Sequence, residues 1–483
     1  MENNQEKLTK KEKLGYASAS AGDSISYTLI GSILMFFLTT VAGVDPVTAG
    51  MLTGIGAIWN AIFNPLMGYL ADSFNSRFGR RRPLILAGSV PLAVVTFLLF
   101  TRVDLPVSVK PFYYGIMLML YWTCYTGFMV PYLALGVDYT EDYDERTVLR
   151  LYASLFNLIG ALASMSAPTI LVARLTASGM DLGRAWSLTG GLLGGLSLLS
   201  VVVTVLASGK KDPGRSATVK AGTGASAAAA PASAGAERKR FSPIAIIKEY
   251  VSVARLKPVC WLVIASTAFL IGFTMLLSDM RYYYTYVLGF SAAQISLVLL
   301  LRPLGGALLI PITARLILHF DKRQAIIILY LIGAALLIVA RLLVAHYPAD
   351  LILFIVGSIL CSCLYWQVFP GIYYDVCEYD YWVTGKNRKA TIVSFQGLVE
   401  AIAAGIGTFL LGFLLGRAGF DGELAVQSAS ALSRILDCAT IVPVGFFLLG
   451  TFATWKYPLT KKRYNQIRRD LASRKRETPG YAE

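Results

Sequence analysis

Twelve apolar stretches, each long enough to cross a bilayer as one helix, succeed one another along this chain. They cover about 15–42, 47–71, 83–101, 110–138, 148–175 and 186–207, then 258–289, 292–319, 324–344, 349–378, 392–416 and 431–456. About 20 consecutive apolar residues suffice for a helical span. Hydrocarbon offers no water to free backbone groups, so such stretches fold as helices that close their own hydrogen bonds. Composition agrees: 55% of the residues are hydrophobic and 15% charged, against roughly 25% charged in soluble domains. The pattern excludes a soluble enzyme, a disordered chain and a disulfide-stapled secreted domain. An outer-membrane barrel is also disfavoured, because its strands alternate over short segments. The expected fold class is an all-α polytopic membrane protein.

Most connections are short; the one after the sixth span is long. A six-plus-six arrangement resembles the major facilitator fold, in which two pseudo-symmetric six-helix halves surround a midplane cavity. The boundaries expected on that pattern are an N-terminal half at 1–207, a linker at 208–257, a C-terminal half at 258–456 and a basic tail at 457–483. Residues 208–242, with the run AGTGASAAAAPASAG, cannot bury apolar surface and are expected to form a disordered tether. The tail is expected to form a surface helix.

Charge location orients the chain. Of 44 Lys and Arg residues, 35 fall in the N-terminus, the even-numbered loops, the linker and the tail, and seven fall on the opposite side. The positive-inside rule therefore places both termini and the linker in the cytoplasm. The net charge of +15 is then a topology signal and a contact surface for anionic lipid, and no nucleic acid is expected. The first apolar stretch is too long for a signal-peptide core. The expected location is the plasma (cytoplasmic) membrane, multi-pass and monomeric, with a small-molecule solute and the bilayer as partners.

Six cysteines show neither metal spacing nor a disulfide framework, and His319 and His346 are the only histidines. No metal is expected. No P-loop or catalytic constellation appears, so ATP drive and an enzyme are not indicated. The only cofactor-like species expected is a coupling ion, H+ or Na+.

Two loops recur in the halves. GYLADSFNSRFGRRRP, residues 68–83, carries Asp72 before Arg80, Arg81 and Arg82; residues 314–324 carry Asp321, Lys322 and Arg323 in weaker form. Charges at opposing helix ends can pair and latch that side. A second pair follows spans 4 and 10: 134–150 with Asp138 and Arg146, and 375–391 with Asp375, Glu378 and Arg388. Equivalent positions in two halves indicate an internal repeat and a cytoplasmic gate.

Four segments carry a resemblance: IWNAIFNPLMGYLADSFNSRFGRRRP (58–83), VPYLALGVDYTEDYDERT (130–147), YYYTYVLG (282–289) and DVCEYDYWVTGKNRKA (375–390). With them the chain resembles the glycoside–pentoside–hexuronide cation symporters, the melibiose-permease relatives of the major facilitator superfamily. The resemblance implies import of a sugar or glycoside by alternating access, driven by a sodium, lithium or proton gradient.

Ionisable residues at bilayer depth are functional candidates by default. Asp23 in span 1 sits among small polar residues, SASAGDSISYTL, which suggests a water-lined cavity. Burial favours the protonated form of a carboxylic acid, the property a proton-coupling site needs. The resemblance implies that an acid here contributes to the sugar site. Span 2 departs from the family. The family's Trp-Asp-x-x-x-Asp-Pro pattern, which forms its cation site, reads here Trp59-Asn60-Ala61-Ile62-Phe63-Asn64-Pro65. Amide oxygens can ligate sodium, but without charge, and cannot carry a proton; both amides could equally serve helix packing. Other family charges are replaced too. Met129 precedes Pro131 by two, Ala153 stands at the span 5 arginine with Arg150 a turn earlier, and Ala401 stands near the span 11 lysine beside Glu400.

Three readings stay open: protons replace sodium at Asp23 and Glu400, the protein is a uniporter, or its substrate is an amphipathic solute or lysolipid. Glu400 either faces the cavity or pairs with Arg281 or Arg302. A sugar site needs aromatic faces and a few convergent polar groups. Candidates are Tyr27, Trp122, Tyr125, Asn157, Tyr365, Trp366, Gln367 and Gln396. The run Tyr282–Tyr286, after Asp279 and Arg281, is either cavity lining or an interfacial belt.

Overall fold

The computed structural model describes residues 8–74, 76, 78–139, 143–208, 243–343, 348–385, 388–424 and 426–477. Twelve helices among them are long and apolar enough to cross a membrane. The first six are α1 (Lys10–Thr40), α2 (Pro46–Ser73), α3 (Arg82–Leu99), α4 (Lys110–Asp138), α5 (Tyr143–Ala177) and α6 (Leu182–Ala207). A short helix α7 (Pro243–Ala254) precedes the other six: α8 (Lys257–Val287), α9 (Ala292–His319), α10 (Lys322–Leu342), α11 (Ala349–Thr384), α12 (Lys389–Arg417) and α13 (Ala429–Lys456). The basic tail adds α14 (Lys461–Glu477). No strand occurs among the described residues. The tether, except Ser208, lies outside them, but the last part of the linker is helix. There α7 is fastened to the start of α12: Arg388, just before it, donates to Ser252 Oγ at 2.6 Å, and Thr391 donates to Glu249 at 3.2 Å.

Local chemistry sets the helix ends. Thr9 caps α1, its hydroxyl accepting from the Glu12 amide while Glu12 accepts from the Thr9 amide, so two otherwise orphaned donors are satisfied reciprocally. Asp45 caps α2 ahead of Pro46, and Asp181 caps α6 by accepting from Gly183 and Arg184. Gly385 ends α11 at φ 66°, a conformation glycine adopts without a Cβ penalty. The last stretch, read as one span, is interrupted at Thr440 (φ −128°, ψ −80°). Pro443 accounts for the break, since its ring excludes a helical carbonyl four residues earlier.

The chain divides into two compact units. One holds Met1–Ala229, Leu277–Pro303 and Thr408–Ile435; the other holds Ala230–Leu276, Leu304–Gly407 and Leu436–Glu483. In the first, the ends of α8 and α9 join the first six helices. Ser278 donates to the Gly31 carbonyl at 3.3 Å, Tyr282 and Thr39 hydroxyls meet at 2.6 Å, and Ser296 donates to the Ser166 carbonyl at 3.2 Å. Tyr282, Tyr283 and Tyr284 are buried, so they pack inside this unit rather than forming an exposed belt.

Within that unit α1 is wedged between α5 and α6. Gly22 has Ser197's carbonyl 2.8 Å from where a Cβ would stand. Thr204 donates to the Gly15 carbonyl at 2.6 Å, Ser197 to Gly22 at 2.9 Å, and Ser164 to Ile25 at 2.7 Å. Lipid supplies no hydrophobic drive between helices, so small residues and hydroxyl-to-backbone bonds hold them together. Small polar residues flanking Asp23 add to these contacts: the Ser20 hydroxyl meets that of Tyr132 at 2.6 Å and the Ser26 hydroxyl that of Ser197 at 3.1 Å. Ser18, Ser20, Ser24 and Ser26 are all buried, which corrects the reading of that stretch as the lining of a water cavity.

α3 and α4 cross as closely. A Cβ on Gly88 would stand 2.5 Å from the Gly127 carbonyl carbon, and backbone cannot yield as a side chain can. Gly88→Val is expected to cost about 3 kcal/mol, the upper range for overpacking, read as a lowered unfolding temperature and a smaller monodisperse yield.

Candidate transport site

Asp23 is buried on α1 and accepts a hydrogen bond from Tyr125 of α4 at 2.7 Å. Tyr27 lies one turn further along α1. Its ring stands edge-on to Trp122 at 6.0 Å and tilted to Tyr125 at 6.1 Å, and Trp122 and Tyr125 meet edge-on at 5.4 Å. Tyr27 is 44% exposed while Trp122 and Tyr125 are buried, so Tyr27 forms the open side of the group. Trp122 fits against α2 because Gly56 leaves room: a Cβ there would stand 3.0 Å from the indole nitrogen. That nitrogen is buried and has no hydrogen-bond partner among the described residues. The group offers a carboxyl, one free N–H and three aromatic faces, a combination suited to hydroxyls and C–H surfaces of a sugar ring.

The two amides of α2 sit beside it and contact each other. Asn60 Oδ1 accepts from the Thr126 hydroxyl at 2.9 Å and from Asn64 Nδ2 at 3.4 Å. Trp59 donates to the Thr123 hydroxyl at 3.0 Å. The segment that carries the family's cation site thus ties α2 to α4. Thr123 and Thr126 escaped the sequence reading, although they stand at successive turns of α4.

The second unit has its own acid. Glu400 on α12 accepts from Tyr365 of α11 at 2.9 Å and from Gln396, one turn earlier, at 2.8 Å. Trp366 is 46% exposed and edge-on to Phe273 at 6.3 Å. Gln367 donates to the Gly306 carbonyl at 3.4 Å, and its own buried carbonyl has no partner among the described residues. Tyr365 is the part of this cluster that orients the acid. The two arginines weighed as partners for Glu400 have companions in the first unit. Arg281 donates to Thr169 at 2.7 Å and lies 5.5 Å over the Phe36 ring; Arg302 reaches Met280 sulfur at 3.4 Å. Asn157 is exposed on α5 and joins neither cluster.

The gate residues separate into three kinds. Arg81 is buried and donates to the Ala71 carbonyl at 2.8 Å; Arg82 donates to the Val205 carbonyl at 2.8 Å. Both serve carbonyls at helix C-termini, which lack intrahelical donors and carry negative dipole charge. Arg80 sits in the same turn, partly buried. In the second unit Lys322 pairs with Asp375 at 2.7 Å, and Arg468 of α14 stands 3.9 Å from Glu378. Arg388 makes a two-pronged pair with Asp380, one prong at 3.0 Å, and this partner holds its guanidinium above the ordinary range. Asp380 was not among the acids singled out from sequence. The side chains of Asp72, Asp138 and Arg146 lie outside the described ones. Asp380 is fully buried, so Arg388→Gln strands a charge and is expected to destabilise the protein by about 3 kcal/mol, with Arg388→Lys intermediate. Thermal unfolding of the three proteins checks the order.

Twelve helices long and apolar enough to cross a membrane, with a carboxyl and aromatic cluster in each unit, mark a multi-pass membrane protein. A family model described as MFS/sugar transport protein matches residues 15–461. The chain belongs to that family, the glycoside–pentoside–hexuronide cation symporters of the major facilitator superfamily. It is 27% identical to the uncharacterized symporter YnaJ of Bacillus subtilis and 25% to the inner membrane symporter YicJ of Escherichia coli, each over 98% of this chain and 96% of the relative. It is 22% identical to the glucuronide carrier protein homolog of Escherichia coli, over 98% and 97%. Among solved structures, a bacterial homolog of the human lysosomal transporter Spinster superposes with a TM-score of 0.68 over 94% of this chain and 97% of that one, at 15% identity. That likeness speaks for the fold.

Proposed function

We propose that this protein imports a glycoside or related small polar solute by alternating access, coupled to protons through Asp23, with Glu400 as a second proton-carrying acid. One observation carries the reading. The carboxyl in the first unit is held by the Tyr125 hydroxyl beside the aromatic group, while the two α2 positions carry neutral amides, Asn60 accepting from Thr126 and Asn64. A proton needs a carboxyl, and an amide cannot carry one. The similarity to symporters and to a glucuronide carrier homolog supports a solute moved with an ion. The distribution of basic residues supports cytoplasmic termini, and the superfamily layout supports a monomer in the plasma membrane.

The test is solute-induced proton and sodium flux in vesicles of purified protein over a glycoside and glucuronide panel. Proton entry with one of these solutes is the expected result. Solute entry without any ion would make the protein a uniporter, and silence across the panel with response to a lysolipid would move the substrate class. Trp122→Ala removes the largest face of the aromatic group and is expected to raise the half-saturating solute concentration about tenfold or more, measured by uptake.

A further inference from the structure

A cavity of about 280 Å3 in the second unit shares no residue with either carboxyl cluster. Its floor is apolar, formed by Leu262 and Ala265 of α8, Phe369 and Ile372 of α11, and Leu459. Its rim is charged and closed by the chain that leads into α14. There the Lys461 amide donates to Asp321 at 2.8 Å, Lys322 pairs with Asp375, and Arg323 donates to the Tyr457 carbonyl at 3.2 Å.

One group at this cavity is unsatisfied, and a second is a solvated cation at its rim. Tyr457 lines it, is 5% exposed, and its buried hydroxyl has no hydrogen-bond partner among the described residues. Burial holds that hydroxyl far above the ordinary phenol range, so it stays a proton donor. A buried polar atom without a partner is rare in native proteins and calls for an explanation. The second group is the Lys461 side chain, exposed at the rim and in no ion pair among the described residues. The cavity lies just below the usual size range of small-molecule pockets. Basic pockets between membrane helices recognise anionic lipid.

We propose that this cavity binds a single acyl chain bearing an anionic head, the Tyr457 hydroxyl donating to the head and Lys461 pairing with its charge. An occupant contacts both α14 and the loop Asp321–Arg323, and the site is separate from the two carboxyl clusters. It does not rest on the proposed coupling or substrate.

The experiment uses the full chain in discs of phosphatidylcholine, with two labelled probes. Dodecanoate represents free carboxylates, and lysophosphatidylglycerol represents bilayer-derived anions. Saturable binding of one probe per chain is expected, weakened about tenfold in Tyr457→Phe and in Lys461→Gln. Saturation by dodecanoate alone assigns the site to free acids, by the lysolipid alone to the bilayer, and by both to the shared chemistry. Ala265→Leu fills the floor and is expected to abolish binding. Non-saturable partitioning of both probes, or saturable binding indifferent to both Tyr457→Phe and Lys461→Gln, overturns the proposal.

Discussion

Asp23→Asn protein reconstituted in vesicles is expected to equilibrate solute down its own gradient while solute-driven proton entry falls to background, a loss of at least about 100-fold. The amide keeps the shape and can still accept from the Tyr125 hydroxyl, which stands 2.7 Å from the carboxyl, so α1 and α4 stay joined. What disappears is the capacity to bind and release a proton. Tyr125→Phe separates orientation from coupling. It removes one hydrogen bond to the acid, a loss of order 1.5–3 kcal/mol for a bond to a charged group, and should slow uptake about tenfold or more while leaving the proton-to-solute ratio unchanged. A pH-sensitive dye inside the vesicles, read beside labelled solute, gives both quantities. Uphill uptake that survives Asp23→Asn and is lost in Glu400→Gln would move coupling to the second unit, where Tyr365 and Gln396 hold the carboxyl. Uphill uptake that survives both would remove protons from the mechanism.

The twelve spans were legible because hydrocarbon imposes one strong rule, an apolar run of sufficient length, and the sequence obeys it twelve times. The tail is helical over Lys461–Glu477, as a run without proline or glycine after the last span allows. Helix partners were not legible. Hydropathy does not say which face of a span meets another helix, and in lipid the residues that make such contacts are small and polar, as cavity residues are. The stretch around Asp23 shows the consequence. Its serines and glycines meet α6 through bonds such as Thr204 to Gly15, Ser197 to Gly22 and Ser26 with Ser197, a pattern of close backbone approach with the same composition as a wet lining. Thr123 and Thr126 were hidden in the same way, since a lone threonine in a span usually bonds back to its own helix. Thr126 does so, to the Trp122 carbonyl at 2.7 Å, and also reaches Asn60. The charges at the helix ends were easier to find than to pair. Asp375, Glu378 and Arg388 were visible as a cluster, but their partners are Lys322, Arg468 and Asp380, chosen by helix phase and by neighbours distant in sequence.

Restoring the family's acids should convert this chain to a sodium-responsive one. In Asn60→Asp with Asn64→Asp, two carboxylates stand one turn apart on α2, where Asn64 Nδ2 now lies 3.4 Å from Asn60 Oδ1. Two like charges at about 4 Å repel by about 4 kcal/mol at the effective dielectric near a protein surface. The apo double variant is therefore expected to be less stable than the parent in choline chloride. A sodium ion relieves the repulsion and gains the Thr126 oxygen as a further ligand, since that hydroxyl already reaches position 60 at 2.9 Å. At a hundred times its dissociation constant, the ion should return about 2.7 kcal/mol of stability. Unfolding temperatures in sodium and choline chloride measure this directly: the parent is expected to ignore the exchange and the double variant to rise. Each single variant has one carboxylate and one amide, and is expected to respond weakly. Sodium should also stimulate solute uptake by the double variant about tenfold while leaving the parent unaffected. A double variant that folds and remains indifferent to sodium would mean that α2 and α4 have closed this place to cations altogether. The amides would then be a committed helix contact rather than a cation site that has lost only its charge.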